Sequence, residues 1–296
     1  MWRPNGSQRD YMTTVRGGTQ SIERSIRLMR ALAARARFGW RLSDLARHCE
    51  IDKGTARRIL NCLVRERLAE RSAGDQRYLP GPLMYELGLA LPEHDEFRNA
   101  AFPALERLAA QTRTVAFLCL RSGDDVVCAA RVGDVPDQAF TLNVGTRRPL
   151  SNSAAGAALL VAMPEEERQG VFERNCKVLT QVGCTQNALD RLLAKSLEHE
   201  MGYNESCFVP GWNSYGLALY NGTEARAAVM ISAPSAHFTP AQLETCLAAL
   251  RRSTQELQQL SDSMFNRQRR TMVPGTAKRR PATRATESAT ADHATP

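Results

Sequence analysis

The chain has little of what a membrane or secreted protein needs. Its longest apolar runs, such as residues 154–163, are far shorter than the roughly 18 residues of a membrane-spanning helix. The opening sequence MWRPNGSQRD contains no apolar segment like the core of a secretory signal. We therefore expect a soluble, cytoplasmic protein that has no membrane partner.

The sequence also lacks the residue patterns of a metal site or a catalytic centre. Its eight cysteines include no C-x-x-C pair and no cysteine–histidine cluster with zinc spacing, which predicts reduced, mostly buried thiols. The five histidines form no recognisable catalytic relay, and the serine of GWNSYG is one position away from nucleophile-elbow spacing. We expect no metal, no cofactor and no enzymatic activity.

Positive charge is present, but it is concentrated at the two ends of the chain. The net charge is +8 over residues 16–80, −6 over residues 81–262 and +5 over residues 263–296. A basic domain beside an acidic body is typical of a protein that binds a polyanion such as nucleic acid through one domain. A basic surface without a partner is the alternative at this point.

Hydrophobic periodicity predicts three helices and a hairpin in the basic N-terminal part. Ile22, Ile26 and Met29 recur at helical spacing, Ser43 begins a second short helix, and Asp52 caps a third. A hairpin over residues 69–79 follows. This order is that of a winged helix-turn-helix domain, which we assign to residues 19–81 after a disordered segment at residues 1–18.

The remainder of the sequence predicts an α+β domain behind a linker. Residues 82–94 form a linker helix that ends at Pro92 and turns Leu83, Leu87 and Leu91 toward a partner or the next domain. Within residues 95–265 we expect helices at 98–111, after Ser153, at 164–174, at 187–200 and from 240. Two strands are expected within 114–133, around a hairpin at 122–125, and further strands near 139–150, at 216–220 and at 225–232. Residues 266–296 form a basic tail with too few apolar residues to fold.

Several segments together resemble the IclR family of bacterial transcription regulators. They are SIERSIRLMRAL, LSDLARHCEIDKGTARRILNCL, RYLPGP, VGTRRPLSNSAAGAALLVAMPEEE, HEMGYNES and AAVMISAP, in this order between residues 19 and 260. The resemblance implies an N-terminal winged helix-turn-helix, a linker helix that helps to form a dimer, and a C-terminal GAF-like domain that binds a small effector. It also implies a homodimer or a dimer of dimers, a tetramer, on a double-stranded DNA operator.

The third helix is the expected reader of that operator. The first turns of a recognition helix reach base edges in the major groove, so we expect Thr55 and Arg57 to contact bases, with Arg57 bidentate to guanine. Gly54 would let the backbone approach the duplex. The residues expected to contact phosphates are Ser43, Lys53, Arg58 and the wing residue Arg77. A solvated helix face is the alternative, and it is favoured for Arg65 and Arg67.

A second candidate site begins at the Ser153 helix cap. The backbone N–H groups of Ala154, Ala155 and Gly156 start a helix there, where a carboxylate could bind, although ordinary packing of small residues is the alternative. The resemblance implies that Ala154 and Ala155 contact the effector. It also implies that the same pocket is lined by Ser206, Tyr215, Met230 and Ser232.

The aromatic residues near that pocket indicate the size of its ligand. Phe208, Trp212 and Tyr215 favour an aromatic or larger organic acid over a two- or three-carbon acid. A small-molecule-binding, GAF-like enzyme with an accessory DNA-binding domain is the alternative function. That enzyme function would require reactive thiols at Cys119 and Cys128. Their predicted positions in strands favour buried, inert thiols instead.

Overall fold

The computed structural model describes residues 19–133 and 142–272, without the side chains of Glu93 and residues 265–272. The predicted N-terminal disorder at residues 1–18, part of the strand expected near 139–150, and the tail beyond residue 272 lie outside the described residues. Within the described part, no helix combines the length and apolarity needed to cross a bilayer.

The N-terminal domain has the predicted order of elements. It consists of α1 (Gln20–Ala34), α2 (Leu42–His48), α3 (Lys53–Arg65), β1 (Ala69–Arg71) and β2 (Tyr78–Pro80). Trp40 and Tyr78 exchange two backbone hydrogen bonds, of 2.9 and 2.8 Å, which join the segment after α1 to the wing in an isolated β-bridge. The core is formed by apolar residues from all three helices and the wing, among them Leu28, Leu32, Leu45, Leu60 and Tyr78.

The segment between the domains differs from the prediction. It contains two helices, α4 (Pro82–Gly88) and α5 (Pro92–Thr112), separated by residues 89–91. Pro92 begins α5 instead of ending the linker helix, because the first turn of a helix does not need the N–H group that proline lacks. The helix expected at 98–111 therefore starts six residues earlier.

The C-terminal domain is built on a six-stranded antiparallel sheet in the order β5-β4-β3-β8-β7-β6. Its strands are β3 (Val115–Ser122), β4 (Asp125–Val132), β5 (Arg147–Pro149), β6 (Gly202–Glu205), β7 (Trp212–Asn221) and β8 (Glu224–Pro234). Its further helices are α6 (Ala154–Val161), α7 (Glu165–Gln181), α8 (Gln186–Glu198) and α9 (Pro240–Met272). The α+β class is confirmed. Strand β6 was not predicted, and α9 runs seven residues into the segment predicted to be a disordered tail.

Each face of this sheet packs against different helices. One face and helices α5 and α9 share a core that includes Leu105, Leu118, Tyr215, Ile231 and Leu250. The other face and α6 share a core that includes Phe117, Cys119, Cys128, Leu159 and Met230. Because successive residues of a strand point to opposite faces, a change of one position decides which core a side chain joins.

Candidate functional site

The first turns of α3 form an exposed, cationic surface. Lys53, Arg57 and Arg58 are exposed and Thr55 is half-buried. Asp52 caps the helix by accepting the Thr55 N–H at 2.8 Å, and hydrogen bonds from the Thr55 side chain and backbone lower the pKa of that carboxyl. Arg58 donates to the Thr55 hydroxyl at 3.2 Å. The first turns of α3 thus combine a stabilised helix cap with the exposed side chain of Arg57.

Gly54 creates a gap in this cationic surface, because glycine has no side chain. A Cβ atom there would meet only the Asp52 carboxylate, at 3.3 Å. The outer side of the helix backbone is therefore open at the second position of α3. Ser43, the second residue of α2, is exposed, as are Arg41 and Arg47 at the two ends of α2, which the sequence analysis did not single out.

Arg77 of the wing has contacts within the protein. Its Nε atom lies 2.9 Å from the Asp75 carboxylate, and its Nη1 atom donates to the Phe38 carbonyl at 3.0 Å. The side chain is 30% exposed. Arg77 thus links the wing turn to the segment after α1, and a phosphate contact would compete with these bonds.

A cavity that is partly open to solvent lies between the start of α6 and strands β7 and β8, and the space in it, open solvent included, is about 430 Å³. Its polar lining is formed by Arg148, Asn152, Ser153, Asn204 and Ser214. Its apolar lining is formed by Leu142, Ala154, Phe208, Val209, Trp212 and Met230.

Ser153 fixes the helix end that borders the cavity. Its hydroxyl accepts the Gly156 N–H at 3.0 Å, and its carbonyl accepts the Ala157 N–H at 2.8 Å. A Cβ atom at Gly202 would overlap the Ala154 carbonyl oxygen, so glycine is needed for β6 to pack directly against α6. The first turn of α6 is therefore held by its own cap and by the neighbouring strand.

Two consecutive arginines of β5 point to opposite faces of the sheet. Arg147 donates to the Asp125 carboxylate at 2.6 Å and to the Ser122 hydroxyl and carbonyl, both at 2.8 Å. Arg148 lines the cavity instead, with its guanidinium in electrostatic range of the Cys119 and Cys128 thiols. The residue keeps partial exposure at the sheet edge, yet protein surrounds its charged end, and this burial lowers the pKa of Arg148.

The turn before β5 contacts the N-terminal domain. Gly145 has φ +83°, and a Cβ atom there would lie 2.9 Å from the Ala33 carbonyl oxygen of α1. Burial raises the pKa of Asp125, while the nearby cations Arg147 and, from α1, Arg30 oppose that increase. The strand that carries the cavity arginine therefore begins at a contact between the two domains.

Family comparisons agree with this two-domain organisation. A model described as "IclR helix-turn-helix domain" matches residues 21–73, and one described as "Bacterial transcriptional regulator IclR C-terminal" matches residues 90–259. The chain belongs to the IclR family. It is a transcriptional regulator with a DNA-binding helix-turn-helix domain, not an enzyme.

Named relatives of this IclR chain include the HTH-type transcriptional regulator TtgV of Pseudomonas putida. The two are 26% identical over 228 residues, which cover 76% of this chain and 87% of TtgV. An IclR regulator from Alicyclobacillus acidocaldarius has the same fold, with a TM-score of 0.62, 22% identity and coverage of 81% of this chain and 98% of that one. An IclR homologue from Microbacterium hydrocarbonoxydans, solved with 4-hydroxybenzoate, gives a TM-score of 0.60 at 20% identity, covering 82% and 99%.

The predicted pocket residues of this IclR chain lie at different distances from the cavity. Ala154 and Met230 line it. Ala155 and Gly156 are buried behind the wall, so the helix start meets the cavity only through Ser153 and Ala154. Ser232 reaches it indirectly, because its hydroxyl lies 2.7 Å from that of the wall residue Ser214.

The expectation that Tyr215 lines the pocket is wrong. Its ring lies in the core shared with α5 and α9, and its hydroxyl donates to Glu205 at 3.3 Å. The neighbouring Ser214 points into the cavity, as the two-residue repeat of a strand requires. Ser206 is also not among the lining residues, and its hydroxyl hydrogen-bonds Asn213 at 3.3 Å and Ser235 at 3.1 Å.

The thiols of this IclR regulator are free, and most are buried. Cys62 is exposed, while Cys184 and Cys207 are half-buried. A hydrogen bond with Cys128, followed by burial, raises the pKa of Cys119, which makes it a poor nucleophile. In the described residues, no group of three or more His, Cys, Asp or Glu side chains is arranged to hold a metal ion.

Proposed function

We propose that this IclR regulator is a homodimer, or a dimer of dimers, whose α3 helices read a DNA operator and whose operator affinity changes when a small organic acid occupies the cavity. The observation that carries the proposal is the cavity itself. It has a polar side at Arg148 and Ser153 and an apolar side at Phe208 and Trp212, the combination that is usual in small-molecule sites.

The surface of α3 supports the DNA-reading part of the proposal. Thr55 and Arg57 would contact bases from the first two turns, and Gly54 would allow the backbone to come close. The phosphate contacts would come from Ser43, Lys53, Arg58 and, if it exchanges its bond to Asp75, Arg77. All of these except Thr55 and Arg77 are exposed.

Exposed apolar residues after the wing support a homodimer. Helix α4 has no buried residue, and Tyr85, Leu87, Leu89 and Leu91 are 70, 59, 58 and 51% exposed. Large apolar residues that cluster in this way mark a protein contact more often than a free surface. A pairing of two copies along α4 would bring two α3 helices to an operator with two half-sites.

The ligand part of the proposal has two supports. The aromatic walls Phe208 and Trp212 suit a flat apolar body, and Arg148 suits a negative charge. The Microbacterium hydrocarbonoxydans homologue, which has the same fold, was solved with 4-hydroxybenzoate, an aromatic acid. We therefore propose an organic acid, with aromatic acids first among the candidates.

Strand β5 supports a route by which the ligand would act on the DNA-binding domain. Arg148 lines the cavity, and Gly145, three residues earlier, packs against Ala33 of α1. A ligand that shifts β5 would change this contact and with it the placement of α3. Such coupling between two sites is commonly worth about 1–3 kcal/mol.

The test is operator binding with and without acids. Sequences selected from randomised duplexes would serve as operators, and fluorescence anisotropy would measure the Kd with 4-hydroxybenzoate, benzoate or pyruvate. We expect at least one acid to change the operator Kd by about 5- to 150-fold, with a smaller change on a random duplex of equal length. If every acid binds without changing the operator Kd, the regulatory role of the cavity is wrong.

A further inference from the structure

We infer that the basic segment at residues 267–284 forms a second contact with the DNA backbone, on the duplex that flanks the sites read by α3. Between residues 263 and 286 the sequence has seven Lys and Arg residues and no Asp or Glu. They are Arg267, Arg269, Arg270, Lys278, Arg279, Arg280 and Arg284. The segment lies beyond the residues 90–259 that match the IclR C-terminal model, so the inference goes beyond the proposed function.

Helix α9, which leads into this segment, runs antiparallel to α5. His237, just before α9, and Cys246, near its beginning, lie 2.8 and 3.9 Å from the carbonyl oxygen of Thr112 at the end of α5. Further along α9, Glu256 forms an ion pair with Arg107, which is earlier in α5. Fifteen residues of α5 precede Arg107, and sixteen residues of α9 follow Glu256. Helix α9 therefore ends on the side of the C-terminal domain where α5 begins.

That side of the domain is the one joined to the DNA-binding domain. Helix α5 begins at Pro92, and the short helix α4 before it leads back to the wing. The Leu83 N–H donates to the Arg67 carbonyl at 3.0 Å, and the Arg67 side chain forms a 2.7 Å ion pair with Glu86. These contacts hold α4 to the domain that carries the reading helix. The basic segment thus begins on the same side of the C-terminal domain as that helix.

The length of the chain after the last anchored turn of α9 allows the segment to reach flanking DNA. The Gln258 side chain exchanges hydrogen bonds of 2.7 and 2.9 Å with the Tyr220 backbone, and Ser261 is buried. Met272 lies eleven residues beyond Ser261, or about 16 Å along the helix. An extended chain spans at most about 3.3–3.6 Å per residue, so residues 278–284 can lie up to about 20–40 Å from Met272. One turn of duplex is about 34–36 Å long.

Double-stranded DNA suits the segment better than the acidic body of the same chain. A duplex carries one negative charge per about 1.7 Å of its length, whereas the net charge of −6 is spread over residues 81–262. Acidic side chains of that body are also paired with arginines, for example Asp124 with Arg174. When α3 is bound to an operator, the covalent connection keeps the segment at a high local concentration beside the flanking duplex.

Fluorescence anisotropy of the full chain on two duplexes, each at several salt concentrations, tests the inference. One duplex carries the selected operator alone, and the other adds about two helical turns of random sequence on each side. The test variant replaces four cations: Lys278→Gln, Arg279→Gln, Arg280→Gln and Arg284→Gln. The matched control keeps every charge of the segment and replaces four threonines: Thr276→Gln, Thr283→Gln, Thr286→Gln and Thr290→Gln.

For wild type, we expect the flanked duplex to bind about 10- to 100-fold more tightly than the operator alone at low salt. The cation variant should lose this gain, and its salt slope on the flanked duplex should decrease by about 3–4 units for each segment engaged, because fewer phosphates are neutralised. Its affinity for the operator alone should stay close to that of wild type. The threonine variant should match wild type on both duplexes, and deletion of residues 273–296 should reproduce the cation variant.

The inference is wrong if the cation variant binds the flanked duplex as wild type does, or if it loses affinity equally for both duplexes. A gain in DNA affinity would also overturn it, since the segment would then be held by the acidic body in the free protein. These results leave the proposed function standing, because operator reading by α3 is measured on the operator alone. Failure of the proposed function would appear instead as equal affinity of wild type for the operator alone and for a random duplex of the same length.

Discussion

Replacing Arg57 with alanine should separate base reading from general attraction to DNA. In the part of the chain that the structure describes, the Arg57 side chain makes no hydrogen bond or ion pair, so its loss leaves the fold of α3 intact. Any effect must therefore arise in the DNA complex. A bidentate contact with guanine is worth about 1–3 kcal/mol, or roughly a 5- to 150-fold increase in operator Kd.

A matched control lies on the same helix. Arg65 is also exposed, but it is eight residues further along α3, or about 12 Å at the usual rise per residue. Its contact with Glu66 at 3.0 Å is a surface ion pair, whose removal should change stability little. Arg65→Ala should therefore leave operator binding close to that of wild type.

The assay is fluorescence anisotropy with the selected operator, single-base variants of it and a random duplex, each at several salt concentrations. Arg57→Ala should lose affinity for the operator, lose preference at one or two base positions and bind the random duplex almost as before. Lys53→Ala should instead weaken all duplexes alike and reduce the salt slope by about one unit. Equal losses for Arg57→Ala and Arg65→Ala, or equal losses on operator and random duplex, would refute the assignment of α3 as the reader.

Three further predictions concern stability, pH and assembly. Ser153→Ala should lower the free energy of unfolding by about 0.5–2 kcal/mol in denaturant titration, because the Gly156 N–H loses its hydrogen-bond acceptor. Ser153→Thr keeps a hydroxyl acceptor and should retain most of the wild-type stability. Burial, followed by a nearby arginine cation, lowers the pKa of His48 below its ordinary 6.5, so the folded state resists protonation and stability should fall as pH decreases below 6.5. His48→Asn should flatten that part of the stability–pH profile. An unchanged profile would show that His48 does not cause the loss of stability at low pH. Leu87→Arg combined with Leu89→Arg should yield monomers in light scattering, and a variant that remains dimeric would remove α4 from the interface.

The DNA-binding half was predictable from sequence because its signals are local. Helical spacing around Ile26, the Asp52 cap and the short hairpin each depend on a few neighbouring residues, and the structure has all three. Pro92 was misassigned because proline is compatible with both a position after a helix end and the first turn of the next helix. Only the packing of α5 against α9 and the sheet decides between them.

The cavity was less predictable because it depends on strand register. The sequence shows two arginines before Pro149, but a shift of one residue exchanges the faces of Arg147 and Arg148. The same one-residue uncertainty led us to expect Tyr215 in the pocket wall, where Ser214 lies instead. Strand β6 has only four residues, too few for a two-residue repeat to be recognised in the sequence, so its contribution of Asn204 required the tertiary structure.

The central claim, that the chain recognises a specific DNA sequence and responds to an acid, is tested most directly by sequencing the DNA that it retains. The purified chain would be incubated with fragmented genomic DNA of its source organism, with and without the acid that binds most tightly. The account predicts enrichment of a few fragments that share an imperfect palindrome with half-sites about one or two helical turns apart, and altered recovery of the same fragments with the acid. Retained DNA that is a random sample of the genome, or an enriched set that the bound acid leaves unchanged, would contradict it.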